Sequence, residues 1–160
     1  MPDGSFIEPM HLKPTARSQP DVHLAFPATE ISVRRALLSL RASLKALSVD
    51  SLTISMVEII LAEVANNIVE HAYPLDESGT ITLSCAKGDN SLRFEVSDLG
   101  KMLPGGEIPL KQHHDLDSDL DNLPEGGFGW GLIRDMTTML MYKREIDRNV
   151  LRFRVNFAEM

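Results

Sequence analysis

Residues 51–73 read SLTISMVEIILAEVANNIVEHAY. Ile54, Val57, Leu61, Val64, Ile68 and Ala72 recur three or four apart, the spacing of one apolar helical stripe. Asp50 or Ser51 can cap the start, and Pro74 stops the helix after about Ala72. Beside the stripe, Glu63, Asn67 and His71 stand four apart and form a polar ridge. A helix this apolar on one side must be covered by another layer, so the flanking sequence decides the fold.

Upstream, Val22, Leu24 and Phe26 alternate with polar or small residues, as in a half-buried strand ended by Pro27. Ala28 to Leu47 reads as a helix capped by Thr29 or Ser32, with Ile31, Arg34, Arg35, Leu38, Ala42 and Leu47 at helical spacings. Downstream, a turn around Asp76 to Gly79 leads to a strand at Thr80 to Ala86, with Ile81, Leu83 and Cys85 on one face. Gly88-Asp89-Asn90 signals a hairpin into Ser91 to Ser97, with Leu92, Phe94 and Val96 inward. Leu99 to Glu125 holds no sustained period, and a loop that long in one domain is functional or disordered. Phe128 to Met139 is a third helix opened by glycines. Leu140 to Arg144 and Val150 to Phe157 close the chain as a hairpin. The sum is an α+β two-layer sandwich, with helices on one face of a mixed, mostly antiparallel sheet.

The chain has 160 residues, 43% hydrophobic and 24% charged, enough for one domain with a real core. Residues 21–160 form that domain, and residues 1–20, with Pro2, Pro9, Pro14 and Pro20, read as a flexible arm rather than a signal peptide. No uninterrupted apolar run has the length of a membrane span. The single cysteine, Cys85, excludes an internal disulfide and a cysteine-based zinc cluster. These features point to the cytoplasm. The net charge of −7 argues against direct nucleic-acid binding. Basic residues nevertheless gather at Arg34, Arg35, Arg41 and Lys45, and again from Lys143 to Arg154. These are solvated faces, or one of them docks an acidic partner.

Three features carry chemistry. On the polar ridge, an amide oxygen can ligate a hard cation and a carboxylate can accept a proton, whereas a plain wetted helix face needs neither. His71 fits a structural role at the helix end better than a catalytic one. Asp98-Leu99-Gly100 closes a strand, fixing a carboxylate beside a glycine that allows close approach; a plain turn reads the same way. Gly126-Gly127-Phe128-Gly129-Trp130-Gly131-Leu132 puts four glycines at a helix start, where helix propensity disfavours them and exposed N–H groups favour an anion. The spacing is neither a Walker loop nor part of a Rossmann unit. Asp115, Asp117, Asp119 and Asp121 lack the glycine and closing glutamate of a calcium loop.

Taken in order, Glu63-x-x-x-Asn67-x-x-x-His71-Ala72-Tyr73, Asp98-x-Gly100 and Gly127-x-Gly129-x-Gly131-Leu132 resemble the ATP-binding domain of the GHKL (histidine-kinase-like) superfamily. Within it the chain is most similar to the anti-sigma-factor serine kinases. The resemblance implies ATP and Mg²⁺ as ligands. Asn67 would ligate Mg²⁺, Asp98 would accept from the adenine amino group, and Gly100 would let the nucleotide approach. Gly127, Phe128, Gly129, Trp130, Gly131 and Leu132 would line the phosphates, and residues 99–125 would form a lid. Glu63 would be the general base toward a substrate serine. Met102 stands where the family commonly has a second glycine. The implied partners are a sigma factor or analogous regulator, sequestered by the domain, and a STAS-type antagonist, phosphorylated by it; a homodimer is also implied. A binding module of the same fold without catalysis is the alternative.

Overall fold

The computed structural model describes residues 19–73, 79–109 and 127–158. The expected N-terminal arm up to residue 18, the turn at 76–78 and the lid from residue 110 to 125 lie outside them. Five strands form one sheet in the order β1 (Val22–Pro27), β2 (Thr80–Lys87), β3 (Ser91–Asp98), β5 (Arg148–Asn156), β4 (Thr138–Glu145). All four pairings are antiparallel, so the parallel pair that a mixed sheet would contain is not found among them. Three helices, α1 (Glu30–Ala46), α2 (Ser51–Asn67) and α3 (Gly127–Met136), complete the sandwich. A π-helical turn, Ile68–Ala72, continues α2, and a short 3-10 turn occupies Pro104–Gly106.

The core lies between the helices and one face of the sheet. Ile81, Leu83 and Cys85 of β2, Leu92, Phe94 and Val96 of β3, and Leu151, Phe153 and Val155 of β5 are buried, as their alternation requires. Phe94 and Phe153 pair across strands and stack with centroids 5.2 Å apart. Burial pushes the Cys85 thiol up to about 12, which makes it an inert core side chain. The other sheet face is polar. There Glu95 accepts from Arg152 Nε at 2.9 Å and from Arg148 Nη2 at 2.8 Å.

α2 is the central helix. Asp50 caps it, accepting from Thr53 N at 2.8 Å and Thr53 Oγ1 at 2.6 Å, bonds that hold its carboxyl below the ordinary range. Thr53 is fully buried and also accepts from Ala158 N at 2.9 Å, tying the last strand's exit to the start of α2. Ile54, Val57, Leu61, Val64 and Ala72 are buried as expected, joined by Ile60 and Ala65. Ser51–Ala72 has the length and mean hydropathy of a membrane-crossing helix, and its buried face, Ile54, Val57, Ile60, Leu61, Val64 and Ala65, belongs to the core of the domain.

Two expectations are corrected. On α1, capped by Thr29, the buried positions are Val33, Ala36, Leu40 and Leu44, while Ile31, Arg34, Arg35, Leu38 and Ala42 face solvent. The helical spacing was real, but the stripe it picked out is the outer face. α3 ends at Met136 rather than Met139, because Met139 has a left-handed φ of 56° and the chain enters β4 through an irregular register between Thr138 and Met141.

Candidate functional site

The glycine-rich segment is helix from Gly127 onward, so its glycines lie inside α3 as well as at its start. Their use differs by position. A Cβ at Gly129 would sit 2.7 Å from Glu63 Oε2 and 3.7 Å from Asn67 Nδ2. The absent side chain leaves room for the Glu63 carboxylate in its present position against α3. At Gly131 a Cβ would meet nothing within 4 Å. Packing does not require that glycine.

Glu63 and Asn67 are half-buried and both face the first turns of α3. Among the described residues the Asn67 Nδ2 atom is buried and has no hydrogen-bond partner. An unpaired buried amide costs about 1–3 kcal/mol, which makes it a candidate contact for a ligand atom. His71 is exposed and stands 3.6 Å from the equally exposed Glu70, outside this group. Among the described residues no three His, Cys, Asp or Glu side chains converge as a metal cage. A cation here would take most of its oxygens from a ligand and water.

The π-helical turn Ile68–Ala72 joins this group to a second one. At its end, Ala72 O accepts from Lys101 N at 2.6 Å. Gly100 lies against the same carbonyl, where a Cβ would fall 2.3 Å from Ala72 O and 2.7 Å from Ala72 C. The close approach that Gly100 permits is thus to the chain's own backbone. Gly100→Ala should cost about 1–3 kcal/mol, because backbone atoms cannot swing aside as a side chain can. Urea unfolding of the variant checks this; an unchanged midpoint would mean that the turn yields freely.

Asp98 ends β3 and is 6% exposed. Burial raises its carboxyl above the ordinary range, opposed by hydrogen bonds from Asn149 and the Gly100 N–H and by the charge of Arg144. Both of those bonds reach Oδ1, from Asn149 Nδ2 at 2.8 Å and from Gly100 N at 2.9 Å. Leu99 N donates to Tyr73 Oη at 2.9 Å, which ties the residue after Asp98 to Tyr73 at the end of the π turn.

The sequence matches the histidine kinase-like ATPase domain over residues 26–155. The chain belongs to that family. Its fold is similar to one in the crystal structure of the RsbU and RsbW domains of Rv1364c from Mycobacterium tuberculosis, with a TM-score of 0.59 and 18% identity. That likeness covers 87% of this chain and 33% of the other, so this chain spans about a third of its length. Comparison with curated proteins gives no match.

Within this ATPase domain the expected residues fall into two groups. Glu63, Asn67 and Gly129 meet at the α2–α3 contact, and Asp98 and Gly100 meet beyond the π turn. Trp130 is half-buried against the core, and Leu132 is exposed on α3. Gly127 and Phe128 open the helix. Arg134, near the C-terminal end of α3, donates through Nη2 to Pro109 O at 2.8 Å and Ile108 O at 3.2 Å. It anchors the loop after β3 to α3. Asn149 and Tyr142 carry no signal in the sequence, and Tyr73 is marked there only as the end of the motif that begins at Glu63. Each makes a hydrogen bond to a residue 26 to 51 positions away, brought close by strand register or the π turn, and no local pattern signals that.

Proposed function

We propose that the domain binds Mg-ATP and transfers its terminal phosphoryl group to a serine of a small STAS-type antagonist, and that it sequesters a sigma factor or analogous regulator. The observation that carries this reading is the meeting of Glu63 and the orphaned Asn67 amide over Gly129. The residues fit the ligand. Asn67 can turn its amide so that either the oxygen meets a cation or the nitrogen meets a phosphate oxygen. Glu63 is one helical turn away on the same ridge, placed to take the proton of an incoming hydroxyl. The N–H groups at the start of α3 suit phosphate oxygens, and the open space at Gly131 leaves their approach clear. Asp98 keeps Oδ2 for a donor such as the adenine amino group. Mg²⁺ held with the nucleotide would supply charge neutralisation, the main demand of phosphoryl transfer.

Partner binding has support of a different kind. The outer face of α1 exposes Ile31 and Leu38 beside Arg34 and Arg35, an apolar and cationic stripe suited to an acidic protein surface. The family membership supports nucleotide use. Incubation with radiolabelled ATP, Mg²⁺ and candidate STAS-type proteins tests the reading. Acid-labile or absent label on a serine-bearing antagonist would overturn it. A stable complex without transfer would favour the non-catalytic binding module.

A further inference from the structure

Asn149 is 5% exposed and sits in the middle of a row across three strands. Its register partner on β3 is Asp98, and its partner on β4 is Arg144. Asn149 Nδ2 donates to Asp98 Oδ1 at 2.8 Å, to Lys101 O at 2.9 Å and to Gly100 O at 3.2 Å. Asn149 Oδ1 accepts from Tyr142 Oη at 2.6 Å and from Arg144 Nη1 at 3.0 Å. Arg144 can only donate and an ionised Asp98 can only accept, so the amide cannot be turned over. Tyr142 Oη in turn accepts from Leu103 N at 3.0 Å, and Arg144 Nη1 donates to Gly100 O at 2.7 Å. One buried side chain thus fixes a carboxylate and, directly or through its two neighbours, the backbone of Gly100, Lys101 and Leu103.

We propose that Asn149 is the positioning residue for base recognition: it saturates Asp98 Oδ1, leaves Oδ2 as the one acceptor turned to the nucleotide base, and locks the first residues of the long loop to that carboxylate. This rests on the nucleotide reading of the site. A buried carboxylate with two free oxygens could rotate to meet a ring donor or an amino group. One held through Oδ1 presents a single acceptor in a single place, which rewards a base with an amino group and penalises one with a carbonyl oxygen there. Full satisfaction of the amide is what makes this selective, since every group in the network would lose a partner if Asn149 moved.

The test is calorimetric titration of wild-type protein, Asn149→Leu and Tyr142→Phe with ADP and with inosine diphosphate, which carries a carbonyl oxygen in place of the amino group. Wild type should prefer ADP by on the order of ten- to a hundredfold, the worth of one hydrogen bond to a charged group. Asn149→Leu keeps the side chain's shape and should bring that preference close to unity, with the affinity for inosine diphosphate nearly unchanged. A purely structural role would weaken both nucleotides together. Tyr142→Phe removes only the hydroxyl that steadies Asn149 Oδ1 and should lower the preference several-fold, which gives a reading even where Asn149→Leu does not fold. A folded Asn149→Leu, or failing that Tyr142→Phe, with the wild-type preference would overturn the assignment. Wild-type protein that binds neither nucleotide would overturn the nucleotide reading itself.

Discussion

Glu63→Gln should slow phosphoryl transfer to the antagonist by on the order of a hundredfold while leaving Mg-ATP binding within a few-fold of wild type. The carboxylate lies against the start of α3: Oε2 is 2.7 Å from the point a Gly129 side chain would occupy. An amide of the same shape keeps the packing and cannot take a proton. Loss of a general base costs on the order of 10²- to 10⁴-fold in rate. A loose transition state, in which the hydroxyl proton leaves late, places the effect toward the lower end of that range. Single-turnover transfer measured beside a nucleotide-binding control separates the two functions. Equal rates for variant and wild type would make Glu63 a polar helix residue and nothing more.

The parts of this site that lie within one element were legible in the sequence. The ridge of Glu63 and Asn67 follows from helical spacing alone, and the structure does turn both toward the glycines of α3. Strand faces were legible for the same reason, since a period of two separates core from outer residues along β2, β3 and β5, until it breaks at Val96–Asp98 and Asn149–Leu151, where consecutive residues are buried. α1 shows where periodicity stops. Ile31 and Leu38 are larger than Val33 and Ala36, so the exposed side carries apolar residues of its own beside Arg34 and Arg35, while Leu40 and Leu44 mark the buried side. Only the packing of α1 on α2 and the sheet decides which stripe is inside. Gly100 was read as room for a ligand, whereas its neighbour is Ala72, 28 residues earlier. The Asp98–Asn149–Arg144 row was invisible, because it exists only once β3, β5 and β4 have found their register.

Asn67→Ala should remove most of the affinity for Mg-ATP and leave the fold as stable as before or slightly more so. The two halves of this expectation come from one observation. Asn67 Nδ2 is buried without a partner, so the folded protein carries the cost of an unsatisfied donor that alanine would relieve. Asn67 is also the last residue of α2, and alanine is the better helix former. A residue kept for stability would behave the opposite way. Groups that merely orient a metal's ligands are worth about 10- to 100-fold in affinity. Loss of a ligand, at a site where the protein supplies few of them, should cost at least as much. Calorimetry with Mg-ATP, with thermal melts run on the same preparations, reads both halves. Repeating the titration in EDTA isolates the metal: with the cation removed, variant and wild type should bind ATP alike. Binding of Mg-ATP within a few-fold of wild type would strike Asn67 from the metal site, whereas a large loss that persists in EDTA would make it a direct phosphate contact instead.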